Sequence, residues 1–445
     1  MSKLASIAGA IALSVALVAT AACGAQRVLP PASGQSGATS HDLLYVVDGA
    51  SASTSASASA SASASAQRIV AFRPGGNPAA AITLPAGLVS QDHQYLVAAS
   101  AHAGSTTIML INTRTGASVR SFALAGTFAT AGWGYGDAAM SPDAHWLALR
   151  DLAAPATTIA LVDTQAGALV SSLRLNGDFA LDALSPNGAM LYLLQNLNDA
   201  QHHYYVRAYD LMARQLLDTI VVDKTALDET QMRGSALTRQ VSSDGTVDYT
   251  LYIDPAANIA FIHALPLASG PSGPLFAHCI DLPSGQSGAL LRYYTLTMSA
   301  DGTTLYAANA ALGLVARVNV AGGGPGVFND QVVAQAHFTP TMLATTTYGA
   351  QDPLYNGAAL AADQRTLYVA GIHGIWALDT STLRPQATYL SQASITSLAL
   401  SVDGKTLYAA VPTQGIVLLS LASGQASPAA GCPAHAPWGI AWLTA

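Results

Sequence analysis

The chain has 445 residues, only 10% of them charged, and its formal net charge at pH 7 is -7. A single glutamate and three lysines leave it without the residues that usually form the solvated faces of surface helices, which argues against a mainly helical fold. Since no basic run accompanies the negative charge, nothing offers contacts to a phosphate backbone, and we expect no nucleic-acid partner.

The N-terminal segment, residues 1–22, has the layout of an export signal. One lysine precedes an apolar stretch, and small residues lead from it to Cys23. The segment resembles a bacterial lipoprotein signal, in which the cysteine becomes the lipidated first residue of the mature chain. The resemblance implies export, lipidation of Cys23 and a location at the cell membrane or cell surface. An ordinary cleaved signal and an uncleaved anchor are the two alternatives.

Two low-complexity stretches follow the signal. Residues 23–41 are rich in Gly, Ser, Pro and Ala and predict a flexible tether between a membrane anchor and a folded body. Residues 50–66 alternate Ser and Ala without charge, which is typical of a repeat tolerated at an exposed loop tip. A flexible flap or a glycan acceptor is the alternative for this loop. We expect one folded body, residues 42–445.

A repeated unit organises that body. Its clearest copy is SLALSVDGKTLYAAVPTQGIVLLSL at residues 397–421, where two alternating apolar runs meet at an Asp-Gly pair and a third run follows. This pattern predicts a three-stranded antiparallel meander. In four copies a turn residue stands five positions before a tyrosine: Asn187 before Tyr192, Asp301 before Tyr306, Asp363 before Tyr368 and Asp403 before Tyr408.

Eight segments match the second strand of this unit. They are LLYVVD at 43, YLVAAS at 95, WLALRD at 146, LYLLQN at 191, DYTLYID at 248, LYAANA at 305, LYVAG at 367 and LYAAV at 407. A third strand follows each one, and a fourth closes most units. Four consecutive antiparallel strands are a propeller blade, so we predict an all-β protein with a single β-propeller. Eight blades are predicted, with seven as the alternative because residues 223–283 are less regular.

The ends of the body predict how the ring closes. The first blade begins with a second strand and lacks an innermost one, whereas the C-terminal WGIAWL, residues 438–443, has the pattern of an innermost strand without a second. We expect the C-terminal strand to join the first blade, which removes open sheet edges. Innermost strands are apolar and small because neighbouring blades cover both faces of each sheet.

The S-x-D-G turn, the following LY pair and the closing S-G turn of residues 401–424 resemble the bacterial YVTN/WD40-like propeller repeats of exported and surface proteins. The resemblance covers essentially all of residues 42–443, although the YVTN tetrapeptide itself is missing. It implies the propeller fold. It does not select a function, because this superfamily includes binding proteins, lactonases and quinoprotein-type dehydrogenases.

Predicted loop lengths indicate where a ligand binds. Connections from first to second strands are predicted as two-residue Asp-Gly or Asn-Gly turns and those from third to fourth strands as short turns, both on one face of the disc. The long connections then emerge on the opposite face, and binding sites usually lie in such loops on a rigid scaffold. These connections are residues 50–67, 128–136, 198–203, 223–234 and 321–353. Candidate binding residues on this long-loop face are Trp133, Tyr135, Asp137, His102, His202, Arg233 and His373. A plug packed over the channel is the alternative for Trp133 and Tyr135.

No nucleophile elbow, phosphate-binding glycine loop or zinc motif occurs, so we predict no catalytic residues, no metal site and no cofactor. We predict a monomeric, membrane-anchored scaffold that binds a protein, peptide or glycan. The first alternative is a propeller enzyme of lactonase-like or quinoprotein dehydrogenase-like type. The second is an assembly subunit of an envelope complex, which would expose an apolar patch. Whether Cys279 pairs with Cys432 is left open.

Overall fold

The computed structural model describes residues 41–48, 68–128, 136–151, 156–199, 202–223, 230–267, 275–285, 287–321, 330–339, 357–434 and 437–445. These residues form 32 β-strands and two 3₁₀ helices, Pro78–Ala80 and Gly288–Tyr293. No helix in the described ranges is long and apolar enough to cross a membrane.

The strands form eight groups of four, numbered I to VIII, in which each strand pairs antiparallel with the next. Group I contains β1 (Leu43–Asp48), β2 (Arg68–Phe72), β3 (Ile82–Pro85) and β32 (Pro437–Thr444). Group II contains β4 (Leu88–Val89), β5 (Tyr95–His102), β6 (Ser105–Asn112) and β7 (Ser118–Ala125). Group III contains β8 (Ala138–Met140), β9 (Trp146–Arg150), β10 (Thr157–Asp163) and β11 (Ala168–Leu175). Group IV contains β12 (Phe179–Leu184), β13 (Met190–Asn196), β14 (Tyr204–Asp210) and β15 (Gln215–Asp223).

The second half of the chain repeats this order. Group V contains β16 (Ser235–Val241), β17 (Val247–Asp254), β18 (Ile259–Pro266) and β19 (Phe276–Asp281). Group VI contains β20 (Thr295–Met298), β21 (Thr304–Asn309), β22 (Leu314–Asn319) and β23 (Gln331–His337). Group VII contains β24 (Ala358–Leu360), β25 (Thr366–Gly371), β26 (Gly374–Asp379) and β27 (Pro385–Tyr389). Group VIII contains β28 (Ser397–Leu400), β29 (Thr406–Val411), β30 (Gly415–Ser420) and β31 (Ala426–Pro428).

The C-terminal strand β32 lies in group I. It pairs antiparallel with β1, with Leu443 opposite Leu44 and Trp442 opposite Tyr45. The rings of Tyr45 and Trp442 stack with their centroids 4.3 Å apart. The tail of the chain therefore occupies the inner edge of the first group, the position that the sequence analysis assigned to it.

Eight hydrophobic clusters hold the groups together. Each lies between two groups that are consecutive along the chain, and the eighth joins group VIII to group I through Tyr408, Ile416, Leu44 and Ile440. Every group except V places a fully buried leucine early in its second strand: Leu44, Leu96, Leu147, Leu191, Leu305, Leu367 and Leu407. Blade-like four-stranded sheets that pack face to face in this way make the protein an all-β propeller.

The turns between first and second strands share one construction. In group VIII, Ser401 Oγ donates to Asp403 Oδ1 over 2.7 Å and accepts a hydrogen bond from Thr406 N over 2.9 Å. The same serine-to-Asp or serine-to-Asn bond occurs in groups II to VI. These connections span five residues, so the prediction of two-residue turns was wrong. The Ser and Asp or Asn side chains accept hydrogen bonds from backbone N–H groups, which in a tighter hairpin would bond to backbone carbonyl groups.

The prediction of loop lengths also needs correction. The stretch 321–353, expected to be a single loop, contains strand β23, so residues 320–330 connect a third strand to a fourth. Residues 73–81 and 267–275 are further long connections of this kind. Long connections therefore emerge at both ends of the sheets and not on one face alone.

Groups IV and V are joined more closely than other neighbours. Their outer strands β15 and β19 pair in parallel, with Val222 opposite Phe276, which makes one eight-stranded sheet. Group V is the unit that the sequence left uncertain, and it contains four strands like the others.

Candidate functional site

The residues predicted to form a binding face do not all lie in the described chain. Cys23, Trp133 and Tyr135 fall outside the described residues. His102 was expected in a loop, but it is the exposed last residue of strand β5, because the strand extends to a tight turn at residues 103–104.

The remaining predicted residues are spread over several groups. His202 is exposed and precedes strand β14 with a positive φ of 56°. Arg233 lies before strand β16, and its Nε is 3.5 Å from Asp254 Oδ2. His373 lies in the turn between β25 and β26. These side chains belong to different groups, and no common site is built from them.

Asp137 belongs to a charged cluster at the end of the inner strands of groups III and IV. Arg150 Nε donates to Asp137 Oδ1 over 3.0 Å, and a second bond from Nη2 reaches the same oxygen. Arg150 Nη1 also lies 3.6 Å from Asp178 Oδ1, and Asp178 accepts a hydrogen bond from Asn196 over 2.8 Å. The side chains of Asp137 and Asp178 are 42% and 47% exposed. We call these four residues the acidic rim. Asp137 is the one predicted residue among them.

Inner strands of groups II to V surround a cavity of about 540 Å³. Most of its wall is apolar and includes Ala138, Met140, Ala183 and Leu184. A second cavity of about 330 Å³ lies against the inner strands of groups V to VIII. Gln240 contributes to both walls, so the inner strand of group V lies between the two spaces. The larger cavity is bordered by the Ser141 turn, so it lies towards the end of the sheets opposite the acidic rim.

A buried cluster of charges lies in the wall of the larger cavity. Arg239 Nη2 donates to Asp182 Oδ1 over 3.0 Å, and Nη1 donates to the Asp182 carbonyl oxygen over 3.0 Å. Arg239 Nε lies 3.0 Å from Asp248 Oδ2 and donates to Thr250 Oγ1 over 3.1 Å. The Tyr252 hydroxyl donates to Asp182 Oδ1 over 3.4 Å. One guanidinium thus bridges the carboxylates of two neighbouring groups.

Burial controls the protonation of this cluster. Loss of solvent raises the pKa of the Asp248 carboxyl from 3.8 to about 7, although the adjacent Arg239 guanidinium opposes the rise. Burial also lowers the pKa of His263, which packs edge-on against Tyr252 with ring centroids 6.0 Å apart. Burial and the nearby Asp182 raise the pKa of the Tyr252 hydroxyl. Near neutral pH, Asp248 can therefore take up or release a proton.

The repeat shows that these charges are not part of the general scaffold. Asp248 lies opposite Val241, the last residue of the inner strand of group V. In groups II, III, IV, VI, VII and VIII, the residue in this position is the buried leucine of the second strand. Asp182 and Arg239 both lie two residues before the last residue of an inner strand. The same place in groups III, VI, VII and VIII carries Ala138, Leu296, Ala358 and Leu398.

The sequence contained a signal for this cluster. Aligning the repeats places DY at residues 248–249 where four other copies have LY, at 191–192, 305–306, 367–368 and 407–408. The sequence analysis predicted no catalytic residues and did not select Asp182 or Asp248. An aspartate at the repeat position that otherwise carries leucine is the observation that would have revealed Asp248.

Chemically, the cluster can bind charge or move a proton. With both carboxylates ionised it carries one guanidinium and two carboxylates, a net charge of one negative. Within the described chain, no group of three or more His, Cys, Asp or Glu side chains is placed to hold a metal ion. Cys279 and Cys432 do not form a disulfide.

No protein-family model matches the sequence, and no curated protein matches it either. Among solved structures, a candidate 6-phosphogluconolactonase from Bacteroides fragilis NCTC 9343 is 15% identical over 80% of this chain and 99% of its own, with a TM-score of 0.41. The dihydro-heme d1 dehydrogenase NirN is 12% identical over 77% of this chain and 65% of its own, with a TM-score of 0.44. The β-propeller domain of Cps50 (Swd1) from Myceliophteria thermophila is 10% identical over 74% of this chain and 94% of its own, with a TM-score of 0.39. The fold assignment rests on the strand pairing described above.

Proposed function

We propose that the protein is an exported lipoprotein of the YVTN/WD40-like type, anchored through Cys23, whose closed ring of eight blades acts as a binding scaffold. The pairing of β32 with β1 and the hydrophobic cluster between groups VIII and I support a closed ring. Residues 23–41 are the tether in this proposal. The protein is a monomer at the cell surface and binds a protein, peptide or glycan.

The acidic rim is the observation that carries the binding proposal. Asp137 and Asp178 stand immediately before two neighbouring inner strands, and Arg150 holds both carboxylates in place while leaving them nearly half exposed. Fixed, partly exposed polar groups at the end of a rigid sheet can bind a partner with little loss of side-chain entropy. In the sequence, Trp133 and Tyr135 shortly precede Asp137, and aromatic residues of this kind commonly stack on sugars and peptides.

Binding at the rim is tested with arrays of glycans and peptides probed by the protein without its signal and tether. We expect the double variants D137N/D178N and W133A/Y135A to lose binding to the same glycans or peptides. Both should keep the urea midpoint of unfolding of the wild type. D218N is the matched control, since Asp218 is an exposed aspartate on the outer strand β15. Hits that persist unchanged in both double variants would rule out this face.

Anchoring is tested separately. In a bacterial host, wild-type protein should incorporate a clickable palmitate analogue and fractionate with membranes, whereas C23A should do neither. Palmitate-free wild-type protein in the medium would support an ordinary cleaved signal, and unlabelled protein retained in the membrane would support an uncleaved anchor.

A propeller enzyme of lactonase-like or quinoprotein dehydrogenase-like type is the second candidate. The observation in its favour is Asp248, which lies beside a second carboxylate and whose pKa burial raises to about 7, because a carboxyl group that titrates near neutral pH can act as an acid or a base. Turnover of a lactone that D248N abolishes would establish this alternative.

A further inference from the structure

The cavity beside the buried charge cluster has the features of a small-ligand site that is separate from the acidic rim. Its volume of about 540 Å³ falls in the range of about 300 to 1,000 Å³ that is usual for such sites. Its wall is mainly apolar, and Arg239, Gln240 and Asp248 supply polar groups. Arg239 is 23% exposed, so the cluster is reachable from the cavity.

The charges in this wall do not balance. Arg239 contacts two carboxylates that are each nearly fully buried, Asp182 at 5% and Asp248 at 2% exposure. Asp182 Oδ2 is buried and has no hydrogen-bond partner among the described residues. Burying an uncompensated charge is costly; among the described residues no further cation offsets ionised Asp248, and near neutral pH a proton on Asp248 does so in part.

We propose that this cavity binds a small organic cation, an ammonium group on an apolar body, whose charge completes the pair of carboxylates around Arg239. The ammonium donates to Asp248, the carboxylate that lies in the cavity wall. The apolar body lies against Ala183, Leu184, Met140 and neighbouring inner-strand residues. An ammonium fits better than a divalent metal because Arg239 already occupies one oxygen of each carboxylate.

Proton exchange accompanies this binding. The groups that act on Asp248 are Arg239 on β16, Asp182 on β12 and Thr250 on its own strand, and burial raises its pKa to about 7. The Tyr252 hydroxyl on β17 donates to Asp182, and His263 on β18 packs against Tyr252 within the field of the Asp182 carboxylate. A cation that requires ionised Asp248 displaces the proton, so affinity should fall about tenfold for each pH unit below 7 and stay constant above it.

The probe is hexylammonium, titrated into the purified protein by calorimetry, with hexanol and hexanoate as uncharged and anionic controls of equal length. We expect hexylammonium alone to bind, with release of about half a proton at pH 7 and about 0.9 at pH 6, measured from buffers of different ionisation enthalpy. D248L and D248N should each weaken binding at least tenfold. D248L introduces the residue that the other groups carry, and D248N keeps the size of the side chain, so one variant remains informative if the other fails to fold.

Several results would overturn the proposal. These are equal binding of hexanol, preferential binding of hexanoate or of zwitterionic norleucine, no measurable binding of hexylammonium, or unchanged affinity in folded D248N. The D137N/D178N variant should bind hexylammonium like wild type. Loss of hexylammonium binding in that variant would contradict the separation of the cavity from the acidic rim.

Discussion

Arg239 and Asp182 occupy the same position in two neighbouring inner strands, and a hydrogen bond of 3.0 Å joins them across the boundary between groups IV and V. At the boundaries between groups VI and VII and between groups VII and VIII, alanine and leucine side chains fill the corresponding space. The pair therefore replaces a hydrophobic contact with an ionic one at one junction. Since a buried ion pair is weak support for stability, the replacement is better explained by function than by folding.

The first prediction separates these two explanations. R239L should destabilise the protein by about 3 kcal/mol, because it leaves two buried carboxylates without their cation. The triple variant D182L/R239L/D248L restores an apolar junction. Its free energy of unfolding should lie within about 1 kcal/mol of the wild-type value, or above it. Urea denaturation at constant pH measures both. A triple variant as unstable as R239L would mean that this junction depends on its charges.

The second prediction concerns Asp248 and the pH dependence of the free energy of unfolding. Its pKa is raised from 3.8 to about 7 in the folded protein, so between these values the folded state holds a proton that the unfolded state has released. Stability of the wild type should therefore fall relative to D248L as pH rises from about 4 to 7, by at most about 4 kcal/mol, and the difference should be constant above 7.

Urea midpoints of wild type and D248L across this range measure the difference. Comparing the two proteins is necessary because burial lowers the pKa of His263, which makes stability rise with pH in the neighbouring window in both of them. D218N serves as the control and should run parallel to wild type between about pH 5 and 8. Parallel curves for wild type and D248L would mean that Asp248 titrates at its ordinary value.

Much of the fold could be predicted because the repeat is regular. All eight predicted second strands are strands in the structure, and the tail pairs with β1. The turns were predicted too short because the Ser401 and Asp403 side chains bond to the backbone, and strand patterns alone do not show such bonds. Strand β23 was missed because its alternate residues are exposed, as on any outer strand, so that its hydrophobic signal is weak.

The sites were harder to predict. Asp137 was predicted as a residue of the long-loop face, but Asp178 lies 41 residues later, and only the packing of neighbouring groups brings both to Arg150. Asp182 projects from an irregularity in β12, where the register shifts between Leu181 and Ala183. A β-bulge re-aims one side chain, and its position does not follow from the alternating pattern.

A third prediction concerns the turns. Group VII has Ala361 where groups II to VI and VIII have serine, so Arg365 N bonds to Asp363 while the serine hydroxyl bonds are missing. A361S should supply those bonds and stabilise the protein by up to about 1 kcal/mol, whereas S401A should cost about 1 to 2 kcal/mol. Urea midpoints measure both effects. A destabilised A361S variant would show that this turn has adapted to alanine.

A fourth prediction tests the tail strand. Trp442 is 5% exposed, stacks on Tyr45 and lies parallel to the His93 ring at 5.7 Å. W442A should cost about 3 to 5 kcal/mol, because it removes a large buried ring and the stacking contact that fastens β32 to β1. Hydrogen exchange should become faster in the amides of β1, since β32 opens more often.

The matched control is W376A, which removes a partly buried tryptophan from strand β26 in the middle of group VII. It should destabilise the protein less and leave exchange in β1 unchanged, because strand β26 is held by neighbours on both sides. W442F keeps an aromatic ring opposite Tyr45 and should recover most of the loss. If W442A leaves β1 as protected as in wild type, then the tail does not fasten the first group, and the closed ring would have to be abandoned.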